Sequence, residues 1–438
     1  MENFNWSPVY REIIRLKEKY VNQFGPSFSL YDNEGYDTFI DKWIDKTQDN
    51  FWVDIRPFII LKQYKTAVLF KYAKLNTLHD LLVEKGISDI TEIWEKWDGF
   101  LQSCRSITID LKNETILTPP FDKFFNIDEL PSTSWDVVNS LMDNAKEIEF
   151  SNKLDGSICI CRYLGNDDYF ITSSGSVDPD ALNSTVLRAM IKKFYSFDEE
   201  SRNIRYMVRC YPEYTFMFEY IALDNQIVVK YQPEDEGFYL IGIRNNNTGD
   251  IFSYKEIQRR AIKFGVRSTT IFNMPLSKIM GILKKVKATQ MEGIVINIDK
   301  HLFKLKADDY VQIHRILSKI SAPSVIIKAI ADGIYDDLLS KVPTAYREDI
   351  EKIADIVFKY DKDMNTVSKK YYEMAPKNDR KEFMLWVNEQ VPTRYQGAVR
   401  NIYLGKENNF LKKKRGNDYQ YVKIRDINPD FLEKSEDE

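Results

Sequence analysis

The string Lys153-Leu154-Asp155-Gly156-Ser157 is the feature that most constrains this chain. Residues on both sides of it alternate apolar with polar, so the string is predicted to join two β-strands. On an extended chain, Lys153 and Asp155 would share one face, because successive side chains alternate. Gly156 permits a sharp turn or a close approach of the backbone to a ligand. The pattern predicts a lysine held at a strand end beside a carboxylate.

A lysine in this setting has two interpretations. An unprotonated lysine amine is a nucleophile, and a neighbouring metal ion or cation lowers the pKa of a lysine and supplies that form. Taken alone, the string is more typical of a surface turn, because Asp-Gly is a strong hairpin signal. The rest of the chain has to decide between a reactive lysine and a turn.

Length and charge limit the classes of protein. The chain has 438 residues, too many for one ordinary core, so two domains are expected. Its composition, with 43% hydrophobic and 13% aromatic residues, is that of a globular protein. The formal net charge is −4, whereas a protein that coats nucleic acid would be basic. Any contact with nucleic acid is therefore expected at a local basic patch.

Several kinds of site and location are disfavoured. The four cysteines show no zinc-binding spacing, and buried, reduced cysteines in a cytoplasmic protein are the expectation. The N-terminus has no signal-like apolar region, and no apolar run is long enough to span a membrane. A GxxxxGK[ST] phosphate loop is missing from the sequence, which argues against a fused P-loop kinase.

Strand and helix patterns divide the chain. Strand signals dominate from about residue 60 to 310, and apolar residues at helical spacing dominate from Pro323 onward. We predict an N-terminal extension packed on the catalytic domain (1–60), a catalytic domain (61–320) and a helical C-terminal domain (321–438). The fold class is α+β. Residues 225–231 are predicted to form one of the strands.

Charged residues on predicted strands are candidates for the site. Glu219 lies in the apolar strand 214–221, where an unpaired buried acid would cost several kcal/mol, so it faces outward or into a site. Lys304 and Lys306 share one face of the second strand of a hairpin near residues 293–306. That face is either simply exposed or presents two cations to phosphate.

Four short sequence motifs occur along the chain in a characteristic order: KLDGS (153–157), MFEYI (217–221), EGIV (292–295) and FKLKADDY (303–310). This order resembles the covalent nucleotidyltransferase superfamily of ATP-dependent ligases and RNA capping enzymes. Within it, the chain is most similar to the phage-type RNA ligase 1 family, from roughly residue 60 to the C-terminus. The resemblance implies an ATP-grasp-like ligase domain of antiparallel sheets with helices, followed by an all-α domain.

The resemblance also implies roles for particular residues. Lys153 would be the adenylylated nucleophile, with Asp155 and Gly156 completing its motif. The other implied residues fall into four groups by role. They are Lys304 and Lys306 on the AMP phosphate; Arg105 and Lys123 on the outgoing pyrophosphate; Glu219, Glu292 and Tyr310 on the nucleotide; and Glu292 and Asp336 on the metal.

One segment departs from the family. Lysines are usual in the family where this chain has Thr172 and Ser174. Hydroxyl groups can hydrogen-bond a nucleotide but bring no charge. How this side of the nucleotide pocket is neutralised is therefore left open by the sequence.

The implied activity is ATP-dependent sealing of RNA. ATP and Mg²⁺ would be the cofactors, and a lysyl-AMP and an AMP-capped RNA the intermediates, joining 5′-phosphate to 3′-hydroxyl ends. The expected substrate is tRNA broken in its anticodon loop, acted on by a cytoplasmic monomer. The alternatives are the RNA-sealing domain of a eukaryotic-type tRNA ligase, an RNA capping guanylyltransferase or DNA ligase, and an inactive RNA-binding relative. Capping enzymes and DNA ligases would normally carry a β-rich OB domain after residue 310.

Overall fold

The structure is a computed structural model that describes residues 4–429 except 32–38, 75–81, 84–86, 88–90, 321, 341, 343–345 and 416–417. The chain divides into two compact units. The first runs to Tyr310, and the second begins at Val311.

Three antiparallel sheets form the framework of the first unit among the described residues. Their strand orders are β1-β2-β3-β4, β11-β10-β5 and β7-β6-β8-β9. Most of these strands alternate apolar and polar residues or are rich in β-branched and aromatic residues, as strands between packed layers require. The strands are β1 Ile59–Tyr64, β2 Ala67–Tyr72, β3 Arg105–Asp110, β4 Thr115–Thr118, β5 Ile148–Lys153, β6 Ser157–Gly165, β7 Asp168–Ser173, β8 Tyr214–Ile221, β9 Gly237–Asn245, β10 Gly293–Ile298 and β11 His301–Lys306.

Helices cover the sheets of this unit. Their apolar residues recur at helical spacing, so each buries one stripe, and several begin at a side-chain cap such as Ser253 or Asp198. The α-helices are Pro8–Phe24, Asn50–Ile55, Glu92–Glu95, Phe100–Ser103, Trp135–Asn144, Thr185–Phe194, Glu199–Arg209, Tyr254–Phe264, Leu276–Leu283 and Asp308–Ile320, the last of which contains the unit boundary.

The first 60 residues share a core with the sheet β1-β2-β3-β4. Trp52 and Phe58 are fully buried in one cluster with Phe70 of β2 and Ile109 of β3. At about 25 cal/mol per Å² of apolar surface, each such side chain contributes a few kcal/mol to folding. This segment is therefore part of the first unit's core.

The predicted hairpin at residues 293–306 is confirmed, but one predicted strand is wrong. The two residues between β10 and β11, Asp299 and Lys300, both have positive φ, as a tight hairpin turn requires. Residues 226–231, by contrast, form no strand. The backbone N–H groups of Val228 and Val229 donate to the carboxylate of Asp155 and not to a neighbouring strand.

The second unit is mainly helical. Its helices pack around fully buried Phe383, Val387 and Val399, and Asp379 caps the helix that contains Phe383. The predicted α+β fold class with a helical C-terminal region is confirmed. The region also holds one short hairpin, β12 Lys412–Arg415 and β13 Asp418–Tyr421. The helices after the boundary are Pro323–Ala331, Tyr335–Ser340, Arg347–Met374, Arg380–Gln390, Thr393–Tyr403 and Ile424–Ile427.

The predictions about cysteine burial and about apolar helices can be compared with the structure. All four cysteines are free; three are buried, and Cys210 is exposed, contrary to the expectation of burial. Within the described ranges, no helix has both the length and the apolar character needed to cross a membrane.

Candidate active site

Lys153 is the last residue of β5, and its position is set by the register of the three-stranded sheet. Gly293 on β10 lies between Lys153 on one side and Lys306 on the other, so the two lysines share one row and one face. A Cβ atom at Gly293 would lie 2.3 Å from the carbonyl oxygen of Leu305. Glycine is needed there because the neighbouring strand approaches so closely.

The carboxylate of Glu292 bridges the two lysines of this row. Lys153 Nζ donates to Oε2 at 2.6 Å, and Lys306 Nζ donates to Oε1 at 2.8 Å. The Glu292 side chain is only 3% exposed. Burial raises the pKa of Glu292, but the two ammonium groups outweigh it and hold that pKa below its usual value. Glu292 is therefore an ionised carboxylate in a buried triad.

The charge state of Lys153 follows from this pairing. Burial lowers the pKa of Lys153, but the carboxylates of Glu292 and Glu219 more than offset it, and the pKa lies above the ordinary lysine value. The sequence analysis expected a neighbouring metal or cation to lower this pKa. In the structure the strongest neighbour is an anion, so the amine is protonated while it contacts Glu292.

Asp155 does not share a strand face with Lys153, because β5 ends at Lys153. Its buried carboxylate accepts three hydrogen bonds, from Val228 N (2.9 Å), Val229 N (2.8 Å) and the hydroxyl of Tyr310 (2.8 Å). Its own backbone N–H donates to the Tyr231 hydroxyl at 2.9 Å. Burial, and then the charge of Glu292, raise its pKa. Asp155 fixes the 226–231 loop and Tyr310 next to the lysine.

Gly156 and Glu219 make the next contact. The N–H of Gly156 donates to Oε1 of Glu219 at 3.1 Å, and a Cβ on Gly156 would lie 2.6 Å from the carbonyl oxygen of Tyr220. Burial raises the pKa of Glu219 to about 7, and the ammonium of Lys153 only partly offsets this. Glu219 faces into the site and titrates near neutral pH.

Lys304 and Arg105 lie at the same aromatic ring. Their cationic groups are 4.7 Å and 4.9 Å from the ring centroid of Phe124. Burial lowers the pKa of Lys304 well below its usual value, and neighbouring cations, first Arg105, lower it further. Among the described residues, Lys304 has no ion pair and Arg105 has a buried guanidinium nitrogen with no hydrogen-bond partner. This is the arrangement expected of a site that receives an anion.

Lys123 is held by aromatic rings. Its Nζ lies 4.8 Å from the ring centroids of Trp94 and Phe125 and 5.1 Å from that of Tyr72. Three rings at these distances attract the ammonium through their negative faces and restrict its side chain. The sequence predicted Lys123 but did not indicate this cage, because the rings come from three separate segments.

The segment that lacks the family lysines carries hydroxyl groups with different partners. Thr172 of β7 lies opposite Ile160, and its hydroxyl is buried without a hydrogen-bond partner in the described part of the chain. The carbonyl of Ser174 accepts a hydrogen bond from the hydroxyl of Ser106. Thr172 retains hydrogen-bonding capacity for a ligand, but this segment brings no charge of its own.

Asp336 lies in the second unit, exposed on the helix Tyr335–Ser340. Its predicted metal role stays a prediction. No group of three or more His, Cys, Asp or Glu side chains is arranged to hold a metal ion anywhere in the described ranges. Mg²⁺ commonly keeps several waters and uses only one or two carboxylates, and the predicted metal role of Glu292 likewise stays a prediction.

The first-unit site is a cluster of charged groups around one nucleophile candidate. Four strands and three loop segments bring these groups together, and the sequence had singled out each of them. Tyr231 and Phe124 were missed, because an aromatic residue in a loop carries no signal of its own. The charged groups are the cations Lys153, Lys304, Lys306, Arg105 and Lys123 and the carboxylates Glu292, Glu219 and Asp155. The excess of cations favours an anionic ligand.

Comparison with known proteins matches the segment that holds this site to a family model. Residues 103–311 match the family model described as RNA ligase, of the phage-type RNA ligase 1 family. The matched segment contains every charged group of the site, and the resemblance predicted from the sequence is confirmed over it.

Individual relatives of the ligase segment are distant. A protein named as a bifunctional polynucleotide kinase/RNA ligase, from Autographa californica nuclear polyhedrosis virus, is 25% identical over 249 residues, which are 55% of this chain and 35% of the relative. The chain therefore spans about a third of the length of this curated relative.

Two solved RNA ligases are similar at low scores. The Naegleria gruberi RNA ligase with pyrophosphate is 15% identical, with a TM-score of 0.35, covering 56% of this chain and 73% of that one. An archaeal ATP-dependent RNA ligase is 12% identical, with a TM-score of 0.40, covering 82% and 96%.

Proposed function

We propose that this protein is an ATP-dependent RNA ligase that joins a 5′-phosphate to a 3′-hydroxyl RNA end, with Lys153 as the nucleophile. The observation that carries the proposal is the position of Lys153, at a strand end against the buried carboxylate of Glu292 and beside Lys304 and Lys306. A surface turn, the other interpretation of the sequence string, would not place the lysine against a buried carboxylate that a second lysine also contacts.

In the first step, the amine of Lys153 attacks the α-phosphorus of ATP. A P–N bond forms, the P–O bond to pyrophosphate breaks, and the amine proton passes to solvent. Lys304, Lys306 and Arg105 are placed to stabilise the negative charge on the phosphoryl oxygens. Among the residues that the structure describes, Lys304 has no ion pair and one Arg105 nitrogen has no hydrogen-bond partner, so both groups are available for that contact.

Lys153 must lose its proton before it attacks, and the contact with Glu292 opposes this loss. Any change that draws the Glu292 carboxylate away, or adds positive charge beside it, lowers the pKa of Lys153. The buried oxygens of Glu292 suit a hard cation, and Mg²⁺ bound there would supply charge neutralisation and polarise the phosphate. Glu219 and Gly156 position the backbone that follows the nucleophile.

In the later steps, AMP moves from Lys153 to the 5′-phosphate of RNA, and the 3′-hydroxyl of the second RNA end displaces AMP. The phosphorus of the AMP group is attacked in the first two steps, and the phosphorus of the RNA 5′-phosphate is attacked in the last step, where AMP is the leaving group. The helical second unit argues against a capping guanylyltransferase and a DNA ligase, for which a β-rich domain is expected there.

The second unit is proposed to select the RNA substrate, of which tRNA broken in the anticodon loop is the leading candidate. Folded RNA is recognised mainly through its backbone and shape, which calls for a rigid surface with local positive charge. Arg394 and Lys413 are exposed on this unit. Lys412, by contrast, is paired with Asp332 at 2.7 Å. Arg394→Glu and Lys413→Glu should each lower sealing of a nicked tRNA stem-loop more than sealing of a linear strand.

The decisive experiment labels the protein itself. Incubation with Mg²⁺ and α-labelled ATP, followed by a denaturing gel, should give an acid-labile label that Lys153→Ala abolishes. Lys255→Ala is the matched control, because Lys255 is an exposed lysine paired with Glu147 on the surface. Preferential labelling by GTP would instead indicate a capping enzyme. A wild-type protein that takes no label from either nucleotide would refute the proposal.

A further inference from the structure

Segment 119–125 carries two groups of the site and has no secondary structure of its own. It follows β4 and contains Lys123, in its aromatic cage, and Phe124, whose ring lies between Lys304 and Arg105. A segment without its own sheet or helix hydrogen bonds must be held by outside contacts if its side chains are to stay in place.

Arg244 of β9 supplies two polar contacts at the start of this segment, in addition to the hydrogen bond from the Lys123 backbone N–H to the carbonyl of Gln102 (2.8 Å). Its Nη1 donates to the carbonyl of Pro120 at 2.6 Å, and its Nη2 donates to Oδ2 of Asp122 at 2.9 Å. Its Nε donates to the carbonyl of Gly249 at 2.8 Å, so each of the three guanidinium nitrogens donates a hydrogen bond. The Arg244 side chain is only 8% exposed, whereas its partner Asp122 is 45% exposed. Arg244 is therefore a buried anchor directed at the segment.

The N-terminal segment covers this anchor. The guanidinium carbon of Arg244 lies 4.4 Å from the ring centroid of Trp6, and the Trp6 indole N–H donates to the carbonyl of Asn246 at 2.9 Å. The ring also packs directly on Gly249, where a Cβ would lie 2.5 Å from it. A stacked indole excludes water from the guanidinium and strengthens its hydrogen bonds. The contact crosses about 240 residues of sequence.

We propose that Arg244, covered by Trp6, is a positioning residue for the pyrophosphate end of the nucleotide site. It holds segment 119–125 so that Lys123 faces the outgoing pyrophosphate. The inference rests on the proposed function and gives the N-terminal segment a role in the adenylylation step. Because pre-adenylylated RNA contains no pyrophosphate, sealing of that RNA does not require this anchor.

The test compares the two half-reactions in the full-length protein. Trp6→Ala should lower the rate of lysyl-AMP formation at low ATP by about tenfold or more, since a misplacement of about 1 Å can cost up to a hundredfold. It should raise the pyrophosphate concentration needed for half-maximal discharge of lysyl-AMP by a similar factor. Sealing of pre-adenylylated RNA should stay within about twofold. Trp6→Phe keeps a ring on the guanidinium and should recover most of the loss.

Two further variants separate positioning from general destabilisation. Arg244→Lys keeps the positive charge but lacks the planar guanidinium group. It should therefore also lose lysyl-AMP formation while retaining sealing of pre-adenylylated RNA. Trp43→Ala removes a tryptophan that packs on Tyr20 and Phe28 in the same N-terminal segment, without contact to Arg244. It should show no selectivity between steps.

An equal loss of both half-reactions in Trp6→Ala, or the same selectivity in Trp43→Ala, would overturn the inference. If the wild-type protein formed no lysyl-AMP, that result would instead refute the proposed function and, with it, this inference. The two failures are therefore distinguishable.

Discussion

Asp155 offers the sharpest test of how the site is held together. The structure makes it an acceptor for the 226–231 loop and Tyr310, whereas the sequence motif groups it with the nucleophile. Replacing it with alanine leaves the N–H groups of Val228 and Val229 buried without this acceptor and removes the hydrogen bond from the Tyr310 hydroxyl. Asparagine retains one carbonyl oxygen for the two N–H groups, and its amide can donate to Tyr310.

The expected magnitudes follow from these contacts. An orphaned buried N–H costs about 1–3 kcal/mol, and an ordinary hydrogen bond contributes about 1 kcal/mol, so Asp155→Ala should lower the free energy of unfolding by roughly 3–5 kcal/mol. Asp155→Asn should cost only about 1–2 kcal/mol. Burial already disfavours the charge of Asp155, as its raised pKa indicates, so loss of that charge offsets part of the lost hydrogen-bond strength.

Denaturant unfolding followed by tryptophan fluorescence reports on the relevant unit, because every tryptophan except Trp386 precedes Tyr310. A double-mutant cycle with Tyr310→Phe isolates one contact. Asp155→Ala and Tyr310→Phe should be less than additive by about 1–2 kcal/mol, the size of a hydrogen bond to a charged group. Additive effects, or an Asp155→Asn variant as unstable as Asp155→Ala, would refute this account. A stable Asp155→Asn that cannot form lysyl-AMP would instead show that the charge acts on the reaction.

Three other predictions concern charge at the site. Lys304→Ala and Lys306→Ala should each lose about 2–4 kcal/mol of transition-state stabilisation in lysyl-AMP formation; near-normal rates in both variants would mean an exposed face without function. Glu219 has a pKa of about 7 against an ordinary 4.5, so its contribution to stability is full below pH 4.5 and is lost as the pH rises through 7. As the pH is raised from 5 to 8, the free energy of unfolding of Glu219→Gln should therefore rise relative to that of the wild type by at most roughly 3 kcal/mol. If denaturant unfolding gave parallel pH profiles for the two proteins, this prediction would be contradicted. Asp336→Asn should shift the Mg²⁺ dependence of lysyl-AMP formation without changing the unfolding midpoint. An unchanged Mg²⁺ dependence would mean that Asp336 is a solvent-exposed helix residue without a role in metal binding.

Local patterns in the sequence were sufficient for much of the fold and for the candidate residues. The alternation around Lys153 predicted the ends of β5 and β6, and the alternation at 303–306 placed Lys304 and Lys306 on one face. These features depend on neighbours two residues apart, so a periodic pattern reports them directly. The order of the four motif strings indicated the family, which the match over residues 103–311 confirms.

The tertiary structure alone decided how the charges are paired. The contact of Lys153 with Glu292 joins residues 139 apart, and its geometry depends on the register of β5 and β10. It reverses the expected direction of the Lys153 pKa, because the strongest neighbour is an anion. The 226–231 segment reads as a strand locally, yet the buried Asp155 carboxylate takes two of its N–H groups. The contact of Trp6 with Arg244 is of the same kind, since an indole covers a guanidinium only after both segments have packed. Such contacts depend on which distant segments fold together, and no local period in the sequence encodes that choice.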